Sequence, residues 1–151
     1  DYLNMINEQN HQISVKLSAK MDKTAQAVEH LQEENFRLKG QVGQLVDDMC
    51  RKEAERYAGS GSVLIFMDGM DADSVRKLAD AVTQTCQGCC AVFSGNADGS
   101  YKYAMGEKDG DLRRFTKEMN EKLNGRGGGK PFFVQGSVQA SEKEIRNFFE
   151  Q

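Results

Sequence analysis

Arg126 and Lys130 bracket three consecutive glycines in NGRGGGK, residues 124–130. Glycine packs nothing and loses the most backbone freedom on folding, so three in a row need a reason. Anion binding is one. Successive N–H groups without side chains can form a concave phosphate site, and a flanking guanidinium offers paired hydrogen bonds. Within 111–130, six cations (Arg113, Arg114, Lys117, Lys122, Arg126, Lys130) face three acids (Asp111, Glu118, Glu121) in a chain of net charge −3. Pro131 follows Lys130, so the run lacks the G-x-x-x-x-G-K-[ST] spacing of a nucleotide P-loop. The candidate contacts to a phosphate are Arg126, Gly127, Gly128, Gly129 and Lys130, with Arg113, Arg114 and Lys117 behind them on the preceding helix. The plain alternative is a solvated surface loop. Gly125 is expected as the left-handed residue ending that helix.

Other groups with chemical potential are weaker. CQGCC, residues 86–90, holds a C-x-x-C, but no second pair accompanies it, Cys50 is remote, and His11 and His30 lie in polar helical sequence. A structural zinc site takes four ligands, usually two such pairs. Cys89 and Cys90 open the apolar stretch CCAVFSG and are expected to pack as small hydrophobes. Free thiols in this number favour a reducing compartment, the cytoplasm. Asp68, Asp71 and Asp73 follow an apolar run and could hold Mg²⁺ beside a phosphate; capping a helix is the ordinary role. Tyr101 and Tyr103 could stack on bases or pack within a strand. The pI of about 5.5 excludes a basic protein overall, so any RNA site is a local patch. No apolar run approaches the ~20 residues of a membrane-spanning helix.

These groups need a frame. Residues 1–58 read as a helical dimerisation arm, 59–62 as a joint, and 63–151 as a small α/β domain. In the arm, Leu3, Ile6, Asn10, Ile13, Leu17, Met21, Thr24, Val28, Leu31, Asn35, Leu38, Val42, Leu45 and Met49 recur at three- and four-residue steps, a heptad seam. Two successive steps of four, 13 to 17 to 21, mark either a stutter in one coiled-coil helix or the corner of a helical hairpin near 18–22, with Asp22 as cap. Leu31, Leu38, Val42, Leu45 and Met49 are the expected dimer contacts. Beyond the joint, strands are expected at 62–67, 89–94, 101–105 and 132–134. Helices are expected at 71–85, at 111–123 capped by Asp111, and from a Ser141–Glu144 capping box to Phe149. Asn96 to Gly99 reads as a hairpin turn. The order is β-α-β-β-α-β-α, a mixed sheet whose first two strands are parallel.

GRGGGKPFFVQGSVQ, the helix before it and VLIFMDGMDADSVRKLADAV upstream together resemble the DHHA1 domain. The resemblance covers almost the whole chain, because a helical subdomain precedes that domain in the family. DHHA1 domains form the C-terminal module of alanyl-tRNA synthetases and end the long form of alanyl-tRNA editing proteins. Lys130 stands where the related DHH phosphoesterases usually carry His, which argues against that branch. Phe132-Phe133-Val134-Gln135 departs from the acidic or small residues, and the Ala before Gln, that synthetases tend to have, and so favours an editing protein. The resemblance implies binding of tRNA(Ala) at its elbow and homodimerisation through the helical part. It also implies a separate editing site that hydrolyses Ser- or Gly-tRNA(Ala) with zinc held by two His-containing motifs. Neither motif is present in this sequence. The expectation is a fragment whose zinc-dependent catalytic part lies upstream of Asp1, and which deacylates nothing by itself. The alternatives are the C-terminal domain of a synthetase, a purely structural dimerisation module, or an enzyme fragment that hydrolyses a phosphoester.

Overall fold

The computed structural model describes residues 1–95 and 99–151. The apolar run after the joint forms β1 (Val63–Asp68), which pairs in parallel with β2 (Cys90–Gly95). Between them lies α3 (Ala72–Thr83), capped as expected by Asp71, whose carboxylate accepts the Ser74 N–H. β3 (Ser100–Gly106) is antiparallel to β2, with residues 96–98 of the expected hairpin turn outside the described residues. α4 (Arg113–Lys122), β4 (Arg126–Lys130), β5 (Phe133–Gln139) and α5 (Glu142–Phe149) complete the chain. β5 pairs antiparallel with both β3 and β4, giving the sheet order β1-β2-β3-β5-β4. The domain is α/β as expected, with one more strand than the sequence order had, because the glycine block is an edge strand rather than a loop.

Side-chain alternation along each strand sends residues to two cores. On one face, Val63, Ile65, Cys90, Val92 and Ala104 meet Val75, Leu78, Ala79 and Val82 of α3. On the other, Phe93, Tyr103, Met105, Val134 and Val138 meet Met119 of α4 and Ile145 of α5. The Ser141 capping box is present, Ser141 Oγ accepting the Glu144 N–H and the Glu144 carboxylate accepting the Ser141 N–H. The expected Asp111 cap is displaced by one residue. Leu112, whose hydrocarbon side chain cannot hydrogen-bond, takes the cap position, while the Asp111 carboxylate accepts the Arg113 N–H at 3.1 Å and pairs with the Arg113 guanidinium.

The chain divides into two compact units, Asp1–Leu45 and Val46–Gln151. In the first, α1 (Tyr2–Lys16) stops at a left-handed Ser18, and a 3-10 turn (Met21–Lys23) leads into α2 (Thr24–Arg56). The double step of four is therefore a break between helices, at the expected corner. Asp22 falls inside the turn and does not precede it as a cap. Leu31, Leu38, Val42 and Leu45 are all at least half exposed, at 56%, 50%, 58% and 69%. In the second unit, Val46, Met49, Cys50 and Tyr57 pack against the α3 side of the sheet. Met49, expected among the dimer contacts, is thus occupied by the chain's own core.

Leu78 is fully buried between α3 and the sheet. Leu78→Ala is expected to cost about 2–5 kcal/mol, and Ser141→Ala at the exposed capping box about 1 kcal/mol. Urea unfolding of both variants checks the order.

Candidate nucleic-acid interface

Each glycine of the block has its own surroundings. β4 pairs regularly with β5 from Arg126↔Ser137 to Lys130↔Phe133. Gly127 has φ +155, and a Cβ there would strike the Gln135 carbonyl, the Tyr103 hydroxyl and Gly136. A Cβ on Gly129 would strike the Phe133 carbonyl and crowd Val134. Both are glycine for the fold's own sake. Gly128 differs, because a Cβ there meets no heavy atom within 4 Å. The left-handed residue after α4 is Asn124, at φ 50, and not Gly125. Gly125 is instead fitted between Asn120, Val138 and the Ser137 carbonyl.

Tyr103 explains the close approach. It is 2% exposed and its hydroxyl donates to Asn120 Oδ1 at 3.1 Å, while Asn120 Nδ2 reaches the Gly127 carbonyl at 3.4 Å. Burial pushes the phenol's pKa up, and the hydrogen bond to Asn120 opposes it. Tyr103 is therefore a core residue and offers no face to a base. Tyr101 is half-buried, edge-on to Phe66 at 6.0 Å.

The edge strand separates the expected site residues. Residues two apart share a face of a strand, so Arg126, Gly128 and Lys130 lie on the α3 side and Gly127 and Gly129 on the α4 side. Lys130 and Phe133 flank a two-residue turn and form the hydrogen-bonded pair next to it. The alternation of an antiparallel ladder then turns the N–H and C=O groups of Gly127 and Gly129 to the free edge. These N–H groups are spaced along an edge and do not converge in the concave cradle expected of a loop. They front a groove of about 480 Å³ lined by Arg113, Thr116, Lys117, Asn120 and Glu121 of α4 and the three glycines. Thr116 Oγ1, buried beside it, has no hydrogen-bond partner. The structure thus brings Arg113 and Lys117 together with the glycine backbone, and sends the side chains of Arg126 and Lys130 to the opposite face.

Ion pairing also sorts the cations. Arg113 is held by Asp111, Nη2 to Oδ2 at 2.6 Å, and its guanidinium holds the Asp111 carboxyl down to about 2. Arg114 pairs with Glu118 at 3.2 Å, one turn away. Among the described residues, Lys117, Arg126 and Lys130 make no ion pair, and all three are exposed. Lys130 Nζ rests 5.8 Å from the centre of the Phe132 ring.

The other chemistry-bearing groups are used structurally. Cys50, Cys86 and Cys90 are buried and all four thiols are free. Burial pushes the Cys89 thiol up to about 12. Asp71 caps α3, and Asp73 pairs with Arg76 and Lys77. No three His, Cys, Asp or Glu side chains are grouped to hold a metal among the described residues. The zinc that the resemblance assigns to an editing site therefore finds no donor set in them. Among the described residues, no helix is long and apolar enough to cross a membrane.

The contrast between two neighbouring glycines is testable. Gly127→Ala is expected to destabilise by about 1–3 kcal/mol through the strained φ and the clash with Tyr103. Gly128→Ala, in open space, is expected to stay within about 0.5 kcal/mol of the parent. Thermal melts of the two variants check this.

The model of the DHHA1 domain family matches residues 60–151. The alanine–tRNA ligase of Acholeplasma laidlawii (strain PG-8A) is 30% identical over 79 residues, 52% of this chain and 9% of that protein. The alanine–tRNA ligase of Psychrobacter sp. (strain PRwf-1) is 23% identical over 154 residues, 94% of this chain and 17% of that protein. The chain thus spans less than a fifth of either relative. The C-Ala domain of Aquifex aeolicus alanyl-tRNA synthetase shares the fold, with a TM-score of 0.52 at 18% identity, over 62% of this chain and 92% of that one. Matched by the family model across its whole sheet and the three helices that cover it, this chain belongs to the DHHA1 domain family.

Proposed function

We propose that this chain is a tRNA-binding module that works in the cytoplasm as a homodimer and serves an enzyme acting on alanyl-tRNA. The observation that carries the reading is the β4 edge, where glycine N–H groups and Lys117 front one groove and Arg126 and Lys130 stand unpaired on the strand's other face. Exposed cations beside bare backbone donors suit phosphate oxygens and select no base, so they position RNA without reading its sequence. The expected partner is tRNA(Ala), in keeping with relatives that are alanine–tRNA ligases. The chain itself is a binding part, and catalysis belongs to the enzyme it serves. That enzyme is either the ligase, which these relatives favour, or a zinc-dependent alanyl-tRNA editing hydrolase, which Phe132-Phe133-Val134-Gln135 after Pro131 favours.

The test is a titration of tRNA(Ala) at two salt concentrations. Binding should weaken steeply with salt, and Arg126→Ala with Lys130→Ala should lower the salt slope by about 2 as well as the affinity. Binding that ignores both salt and the double variant would sink the reading.

The homodimer is supported by the exposed seam of α2. Leu31, Leu38, Val42 and Leu45 recur at heptad spacing with Asn35 among them, a pattern that buries its stripe against a second helix. Light scattering should find a dimer, and Leu38→Asp with Leu45→Asp should give a monomer whose sheet domain still melts cooperatively. An unmodified chain that is monomeric at micromolar concentration would refute the dimer.

A further inference from the structure

We infer that the α3 side of the sheet, beyond the cover of α3, is a second track for the RNA sugar-phosphate backbone, running from Arg126 and Lys130 across β5 to Lys102. This rests on the tRNA-binding reading and adds a surface that the glycine motif does not contain.

Register brings these cations together. Lys102 of β3 lies opposite Ser137 of β5, and Ser137 lies opposite Arg126 of β4. All three therefore share one face, with the main chains of Lys102 and Arg126 about 10 Å apart across one intervening strand. The next row is Ala104, Gln135 and Gly128. Lys102, Arg126, Lys130 and Gln135 are exposed, whereas the opposite face of the same strands carries the buried Tyr103, Val134 and Val138. On this face Ala104, and Phe133 in the row of Lys130, belong to the α3 core, and beyond them lie three exposed cations and a carboxamide.

The relief fits a strand of nucleic acid. A depression of about 430 Å³ runs between Lys102 and the first turns of α3, where Asp73 is paired with Arg76 at 2.9 Å, with Gln135 also in its lining. Gly128, with open space where a side chain would stand, is the low point next to Gln135. The fold does not need a glycine there, so its bareness serves whatever approaches from outside. Lys102 makes no ion pair among the described residues. Asp71, whose carboxyl is held below its usual range first by the Ser74 hydrogen bonds and to a lesser degree by the Lys102 charge, already caps α3. Cations on both faces of one edge strand let a backbone pass around that edge, held by the glycine N–H groups on the way.

The experiment is tRNA(Ala) binding by the full chain, with Lys102→Ala, Gly128→Val and, as a charge control, Lys143→Ala on α5. Thermal melts of each variant establish that it is folded. Lys102→Ala should weaken binding severalfold and lower the salt slope by about 1. Gly128→Val should be as stable as the parent, since a β-branched residue suits a strand, yet bind at least severalfold more weakly. Lys143→Ala should bind like the parent. Parent-like binding by both Lys102→Ala and Gly128→Val, with binding lost in the Arg126 and Lys130 double variant, overturns the track and leaves the tRNA-binding reading standing. A parent chain that binds no tRNA overturns both.

Discussion

The ring of Tyr103 lies under two positions that have no Cβ, and the rest of the domain's edge is arranged by that fit. Gly127 and Gly136 face each other across β4 and β5, and a side chain on either would occupy the space of the Tyr103 hydroxyl. The ring fills this space from the sheet's apolar face, next to Phe93 at 5.9 Å. Its hydroxyl cannot stay unpaired in the interior without cost, and Asn120 of α4 accepts it. Asn120 then donates to the Gly127 carbonyl. One aromatic side chain thus sets the distance of β4 from the core and ties α4 to the strand it precedes.

Placing β4 by its glycines leaves the cations with nothing to do inside the fold. Arg126 and Lys130 end the strand, and alternation sends both to the α3 side of the sheet, beyond the cover of that helix. Two of the three acids in 111–130 are spent locally, Asp111 on Arg113 and Glu118 on Arg114, and the third, Glu121, lines the α4 groove. Exposed pairs of this kind add little to stability, but they decide which charges stay free. The net charge of the chain is therefore a poor guide to its surface, because local pairing leaves Lys117, Arg126 and Lys130 without an ion pair among the described residues of an acidic protein.

The sheet and its helices were legible because their signals are local and redundant. The apolar run at 62–67, the Asp71 cap and the Ser141–Glu144 box each carry their own physical cause. The glycine block was misread as a loop because strand formation there depends on a partner. RGGGK has no β propensity of its own, and it pairs because β5 presents Gly136 to it, with Tyr103 of β3 packed beneath. No pattern within 124–130 encodes that. Composition gave the residues of the candidate site but not their division between two faces, which follows from alternation once the segment is known to be a strand. Lys102 was missed for a related reason. It lies more than twenty residues before Arg126 and joins it only through the register of β5 with both neighbours.

α2 shows the same limit in the opposite direction. Its seam is regular through Met49, and residues of one type recur along it. Up to Leu45 these side chains are exposed, and from Val46 onward their neighbours in the stripe are packed into the α/β core. A periodic stripe states that a face will be buried; it does not state by what. Met49 and Cys50 meet α3 and the sheet because the chain returns to cover them. Leu31, Leu38 and Val42 have no such segment in their own unit. The spacing that made the whole stripe look like one interface is satisfied at one end within the chain, and at the other it leaves Leu31, Leu38 and Val42 exposed.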